Sequence, residues 1–203
     1  MPRTLCAAWP LILGSASPRR REILASLGIP CSIEPAAVDE GTLSGENPEQ
    51  YLERVVERKR AAVVGRAAAD EPRALLVADT SVTLDGEILG KPADEADAER
   101  LLSALCGREH RVLTRYALGL TDGAVFVART VATRVWMRAA SRAEIRGYAR
   151  TGEGLDKAGA YAVQGHGAFL VERIDGSYTN VVGLPACELV LDLTASGLIG
   201  PYP

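Results

Sequence analysis

Three consecutive arginines, Arg19, Arg20 and Arg21, follow the small-residue run Gly14-Ser15-Ala16-Ser17-Pro18, where a helix is predicted to begin. The first turn of a helix carries about half a positive charge and unpaired backbone N–H groups. Each cation placed there forgoes about 0.3–1 kcal/mol, and neighbouring cations repel one another. An anion resting on that turn reverses every one of those terms, so the segment reads as a phosphate seat. The competing reading is a surface helix whose arginines face water. No Gly-Lys-Ser/Thr follows at Walker spacing, so a P-loop is excluded.

Other groups with chemical potential are scattered along the chain. Asp79 stands at the predicted end of the apolar strand Ala74-Leu75-Leu76-Val77-Ala78. A carboxylate there binds a divalent cation, activates water, or merely caps the next turn. Lys59 falls inside an apolar helical stripe, where it either snorkels past the core to water or reaches into a pocket. Lys91 lies between a predicted hairpin and Pro92, and Asp156-Lys157 and Gln164-Gly165 set polar side chains beside bare backbone. His110 and His166 have no nucleophile-elbow or Cys–His context and read as structural or surface residues. Arg134, Trp136 and Arg138 share one strand face, read as solvated or dimer-facing rather than as a nucleic-acid surface.

The elements that must position these groups follow from periodicity and turn chemistry. Pro10-Leu11-Ile12-Leu13 is short and apolar, fit for a buried strand; Ser17 is the expected N-cap of the next helix, with Pro18 at its first position and Gly28 beyond its end. A short strand and a loop are expected over residues 31–46. Asn47 and Pro48 open a helix to about Arg66 whose stripe is Leu52, Val55, Val56, Ala62 and Val63. Asp85-Gly86 predicts a type I′ hairpin, and residues 94–106 a helix. Two β-rich arms flank Asp122-Gly123, and Ser141-x-x-Glu144 is a capping box for a helix to about Arg150. A strand is expected over 168–174 and a last helix from Pro185. Helices and hairpins alternate irregularly, which predicts an α/β chain with a mixed sheet.

The 203 residues carry a formal charge of −3 and are 47% apolar. That balance supplies no global basic field for nucleic acid or membrane, so anion binding must be local and favours a small phosphorylated ligand. Cys6, Cys31, Cys106 and Cys187 show no metal-ligand spacing and fit thiols in a reducing cytoplasm. No signal peptide core and no membrane-length apolar run is visible, so a soluble cytoplasmic protein is expected.

Five motifs occur in order: Ser15-Ala16-Ser17-Pro18-Arg19-Arg20, Ala78-Asp79-Thr80, Gly90-Lys91-Pro92, Asp156-Lys157-Ala158-Gly159-Ala160-Tyr161-x-x-Gln164-Gly165 and Val182-Gly183-Leu184-Pro185. Together they resemble the Maf family of nucleoside triphosphate pyrophosphatases. The resemblance covers residues 11–193, leaving 1–10 as an N-terminal extension and 194–203 as a tail of a single Maf-like domain over 1–203. It implies a mixed twisted sheet with flanking helices and two lobes around a cleft, similar to inosine-triphosphate pyrophosphatases, and a homodimer. It also implies hydrolysis of a nucleoside triphosphate to monophosphate and pyrophosphate with Mg²⁺ or Mn²⁺, with Asp79 matching the proton acceptor. Ser15, Arg19 and Arg20 match the phosphate-binding loop; Glu40, Lys59 and Lys91 match polar residues of the cleft, Glu40 joining Asp79 as the metal pair.

Within the family, one branch acts on dTTP and UTP, and another, with Trp in place of the first arginine, prefers 7-methyl-GTP. Arg19, Thr80 and Gln164 resemble the first branch. A glutamine amide matches the donor–acceptor edge of uracil or thymine. Val77 stands where the family often has Gly, and Arg21 adds a charge to the loop. The family is also associated with cell-division regulation, which makes a nucleotide sensor with little turnover the alternative to an enzyme.

Overall fold

The computed structural model describes residues 5–6, 9–66 and 72–201. The chain forms two compact units, one of Met1–Asp79, Thr114–Val131 and Gly183–Pro203, the other of Thr80–Leu113 and Ala132–Val182. Its strands make a seven-stranded mixed sheet in the order β2-β1-β3-β5-β6-β7, with β4 beside β3.

In the first unit, β1 (Leu11–Leu13) is fully buried and pairs in parallel with both β2 (Cys31–Ile33) and β3 (Ala74–Leu84). Helix α1 (Pro18–Ser26) follows β1 directly, and α2 (Pro48–Val64) starts at a complete Asn47/Gln50 capping box. Ile12, Leu75 and Val77 of the sheet pack with Val56 and Val63 of α2. The last helix, α6 (Ala186–Ala195), is joined to the sheet through buried Asp192, which accepts the Tyr116 hydroxyl and pairs with Arg129 at 3.0 Å.

The second unit holds the end of β3, its antiparallel return β4 (Glu87–Leu89), α3 (Glu95–Leu105), α4 (Arg142–Ala149), β7 (Val171–Asp175) and α5 (Tyr178–Val182). Strands β5 (Glu109–Leu120) and β6 (Val125–Met137) contribute to both units. The core of the second unit joins Val82, Leu102, Leu105, Val135 and Tyr148. Asp85 and Gly86 have φ of 53° and 88°, the two positive values that a type I′ turn requires.

Three local expectations change. Asp79 is not at a strand end: β3 runs on through Leu84 because residues 82–84 pair with β4, so Asp79 is an interior strand residue and caps no turn. Ser17 has extended backbone at the N-cap of α1, but its side chain makes no capping bond. The strand expected over 168–174 begins only at Val171, because a 3₁₀ turn occupies Gly165–Leu170. The amides of His166 and Gly167 in that turn are taken by the Glu153 carboxylate.

The Arg134, Trp136 and Arg138 face is occupied by internal partners. Arg134 pairs with Asp175 and lies 5.2 Å from the Trp136 ring, Arg173 of β7 covers the same ring at 3.5 Å, and Arg138 pairs with Glu144.

His110 lies in the interior of the second unit, its Nε2 2.8 Å from the Tyr161 hydroxyl and its Nδ1 without a partner. Burial lowers the imidazole from 6.5 to about 4, so it is neutral in the folded protein. The unfolded chain binds the extra proton between those two values, so stability is lost as pH falls from 6.5 through 4. His110→Gln keeps a polar partner for Tyr161 and removes that proton. Urea unfolding is expected to show the wild type losing about 3 kcal/mol more than this variant between pH 7 and pH 4.

Candidate active site

The two periodicities of the first unit explain how its polar groups meet. On β3, Leu75, Val77 and Asp79 point to one face. On α2, Val56, Lys59 and Val63 follow one another at helical spacing. Val56 and Val63 pack with Leu75 and Val77. The same register sets the single lysine of the helical stripe against the single aspartate of the strand face. The Lys59 ammonium donates to Asp79 Oδ1 at 2.7 Å and pairs with Glu40 Oε1 at 2.6 Å. Lys59 and Asp79 are only 5% and 6% exposed. Lys59 therefore does not snorkel to water; it ends between two carboxylates.

Tyr51 completes this cluster. It lies two turns before Lys59 on the same face of α2, is buried, and is hydrogen-bonded to Asp79. Burial, reinforced by the charges of Asp79 and Glu40 and by that hydrogen bond, pushes its hydroxyl pKa up, so Tyr51 stays protonated. Asp79 is thus held by an ammonium and a phenol. Periodicity contained this signal, since Tyr51, Val55 and Lys59 are spaced by four. An aromatic on a buried stripe nevertheless reads as core until its hydroxyl has a partner.

The three arginines separate by environment. Arg20 is buried; its Nε donates to the Gly183 carbonyl at 2.9 Å and its NH1 to Ser15 Oγ at 2.8 Å. Burial lowers its pKa, while the charges of Asp79 and Glu40 act in the opposite direction and Arg19 adds to the lowering. Part of the charge conflict at the start of α1 is therefore met by protein carboxylates. Ser15 serves as acceptor for Arg20 and, at 3.3 Å, for the Ser17 amide. Arg19 is half-buried and Arg21 exposed. Gly183, present in the last sequence motif without a role, supplies the carbonyl that fixes Arg20.

Ser15, Arg19, Arg20, Glu40, Lys59 and Asp79 all belong to the first unit. Thr80, Lys91 and Gln164 belong to the second. There, Thr80 is half-buried on β3, and Lys91 and Gln164 are exposed. The Gly159 amide, at φ +72°, donates to the Gly90 carbonyl at 3.1 Å, which ties the Asp-Lys-Ala-Gly-Ala-Tyr motif to Gly90-Lys91-Pro92. A Cβ on Gly159 would lie 3.0 Å from Val82 Cγ1.

Residues 10–195 match the family described as Maf-like protein. The chain is 47% identical to a dTTP/UTP pyrophosphatase of Geobacter sp. (strain M21), with 94% of this chain and 97% of the relative covered. It is 47% identical to one of Geobacter metallireducens over 93% of this chain and 97% of the relative. It is also 47% identical to one of Anaeromyxobacter dehalogenans over 95% and 96%. The chain belongs to the Maf family.

Removing the Lys59 charge leaves the buried Asp79 carboxylate beside Glu40 with no ammonium between them. Lys59→Met is expected to cost about 3 kcal/mol in urea unfolding. Adding Asp79→Asn should recover more than about 1 kcal/mol of that loss, giving a non-zero coupling in the double-mutant cycle. A lysine that merely snorkelled would show neither effect.

Proposed function

We propose that the chain is a nucleoside triphosphate pyrophosphatase that cleaves dTTP and UTP to the nucleoside monophosphate and pyrophosphate. The buried Lys59 ammonium, clasping Asp79 and Glu40 in the same unit as the arginine-headed helix, is the observation that carries this reading. Relatives named dTTP/UTP pyrophosphatase, 47% identical over nearly the whole chain, support the substrate.

Three cations, Arg19, Arg20 and Lys59, stand against two carboxylates, Asp79 and Glu40, which leaves a positive balance for phosphate oxygens. Arg19, half-buried where Arg20 is buried, is assigned the phosphate contact on this turn. The attacking water forms a bond to the α-phosphorus and gives its proton to Asp79, while the bond from that phosphorus to the bridging oxygen breaks and pyrophosphate leaves. A carboxylate offers about four lone-pair positions. The donors on Asp79, Lys59 and Tyr51, leave room for that proton and fix the direction of the accepting lone pair. Lys91 adds charge, and Gln164, with Arg19 and Thr80, selects the base.

The donor chemistry fits Mg²⁺ or Mn²⁺. Two carboxylates, Asp79 and Glu40, converge on one cationic centre, the Lys59 ammonium. Such ions take one or two carboxylates and complete their shell with phosphate oxygens and water. Asp79 and Glu40 are the residues that would hold the ion. When bound, it supplies charge neutralisation and a more acidic water.

The protein is further proposed to be a cytoplasmic homodimer. All four cysteines are free thiols, which suits a reducing compartment. Strand β7 pairs with β6 only from Arg134 to Met137, and Val125 and Phe126, before that segment, are 48% and 43% exposed. Such an exposed apolar strand end favours burial against a second copy.

Pyrophosphate release from a panel of canonical and modified triphosphates, with and without Mg²⁺ or Mn²⁺, tests the reading. The wild type is expected to turn over dTTP and UTP with the metal. Asp79→Asn should lose about 10²-fold or more in kcat. Arg19→Ala should raise KM for both substrates by about tenfold. Near-normal pyrophosphate release by Asp79→Asn contradicts the assignment of the base.

A further inference from the structure

The exposed Gln164 stands on an unusually constrained piece of backbone. It precedes the 3₁₀ turn Gly165–Leu170 in an extended conformation, and its side-chain amide makes no hydrogen bond among the described residues. The main chain on both sides of it is held from below by Glu153 and Tyr148. Glu153 Oε1 accepts the His166 amide at 2.9 Å, and Oε2 accepts the Gly167 amide at 2.8 Å and the Tyr148 hydroxyl at 2.9 Å. The Tyr148 oxygen in turn accepts the Ala162 amide at 3.0 Å.

Close approach makes the clamp specific. A Cβ on Gly165, whose φ is +70°, would fall 2.2 Å from Glu153 Oε1. One on Gly167 would fall 2.3 Å from the Ala162 carbonyl oxygen and 2.6 Å from the Tyr148 hydroxyl oxygen. Only glycine fits at either position. The clamp is itself anchored: Lys157 donates to the Glu153 carbonyl, and the Thr151 hydroxyl accepts the Glu153 amide at 3.2 Å. Burial would raise the Glu153 carboxyl, but the Gly167 and His166 amides and the Tyr148 hydroxyl hold it below the ordinary carboxylate range. The acceptor therefore remains ionised at neutral pH.

An isolated turn cap needs one acceptor. Here a carboxylate and a phenol fix three amides of residues 162–167, on both sides of one exposed, unpartnered amide side chain. Pinning the backbone removes most of the ordering cost that a binding side chain meets when it engages its ligand. We propose that Glu153, acting through Tyr148 and the Gly165–Gly167 turn, is a positioning residue that sets pyrimidine selectivity by fixing the main chain on which Gln164 meets the base. This rests on the reading that Gln164 contacts the base. Glu153 touches no substrate; it acts on where the Gln164 amide stands.

The test compares Glu153→Gln, Tyr148→Phe and Gln164→Ala in steady-state kinetics on dTTP, UTP and GTP, with melting curves for each. Glu153→Gln keeps one acceptor oxygen and loses the other. It is expected to raise KM for dTTP and UTP about tenfold, leave kcat within about twofold, and lower the dTTP-to-GTP ratio of kcat/KM about tenfold. Tyr148→Phe should move the same ratio in the same direction by about threefold, and Gln164→Ala should set the full loss. If Gln164→Ala shifts the ratio while a folded Glu153→Gln does not, Glu153 is only a turn cap and the proposal is wrong. If Glu153→Gln does not fold, Tyr148→Phe decides by the same criterion. An unchanged ratio in Gln164→Ala refutes the base-contact reading, and the role of Glu153 falls with it. Pyrophosphate release itself, and so the proposed activity, is judged separately on dTTP alone.

Discussion

A single buried ammonium organises the chemistry of the first unit. Lys59 lies within 2.7 Å of Asp79 and 2.6 Å of Glu40, in a place that helix periodicity reserves for an apolar side chain. Two carboxylates this close would otherwise repel, and one of them would be driven to take up a proton. The ammonium between them offsets that repulsion. It also obliges α2 and β3 to pack in one register, because a shift of one residue along either element separates the pair. The apolar contacts of Val56 and Val63 with Leu75 and Val77 impose the same register, so packing and electrostatics agree.

Around that centre the remaining groups divide into holders and contacts. Tyr51 and Lys59 hold Asp79, while Ser15 and the Gly183 carbonyl hold Arg20. Arg20, buried with two donors already engaged, contributes field and rigidity more than a free hand for a ligand. Arg19 on the same turn is half-buried, and it is the residue to which the phosphate contact is proposed. The second unit repeats the pattern, with Glu153 and Tyr148 holding the turn that follows Gln164. Preorganisation of this kind is how a site meets developing charge without reorganising during the reaction.

Much of this was legible in the sequence. The strand–loop–helix start, the Asn47 cap, the Ser141/Glu144 capping box and the type I′ turn at Asp85-Gly86 follow from local rules and appear as expected. The anomaly of Lys59 was visible as a polar break in an apolar stripe, but periodicity does not encode what faces a helix across a sheet. For the same reason Tyr51, outside the stripe read from the sequence, was missed. Asp79 read as the end of the buried apolar run, with Ser81 to Leu84 extended beyond it; pairing with β4 joins the two into one strand through Leu84. The strand expected to begin at Ala168 starts at Val171 instead, because the 3₁₀ turn Gly165–Leu170, whose His166 and Gly167 amides are held by the distant Glu153, runs through its first three positions.

The central claim is that water, deprotonated at Asp79, attacks the α-phosphorus of a nucleoside triphosphate held by this charge cluster. Hydrolysis of dTTP in water enriched in heavy oxygen, followed by mass spectrometry of the products, tests it most directly. The account predicts that the label appears in thymidine monophosphate and that the pyrophosphate is unlabelled. Label in pyrophosphate, or release of orthophosphate in its place, would contradict it.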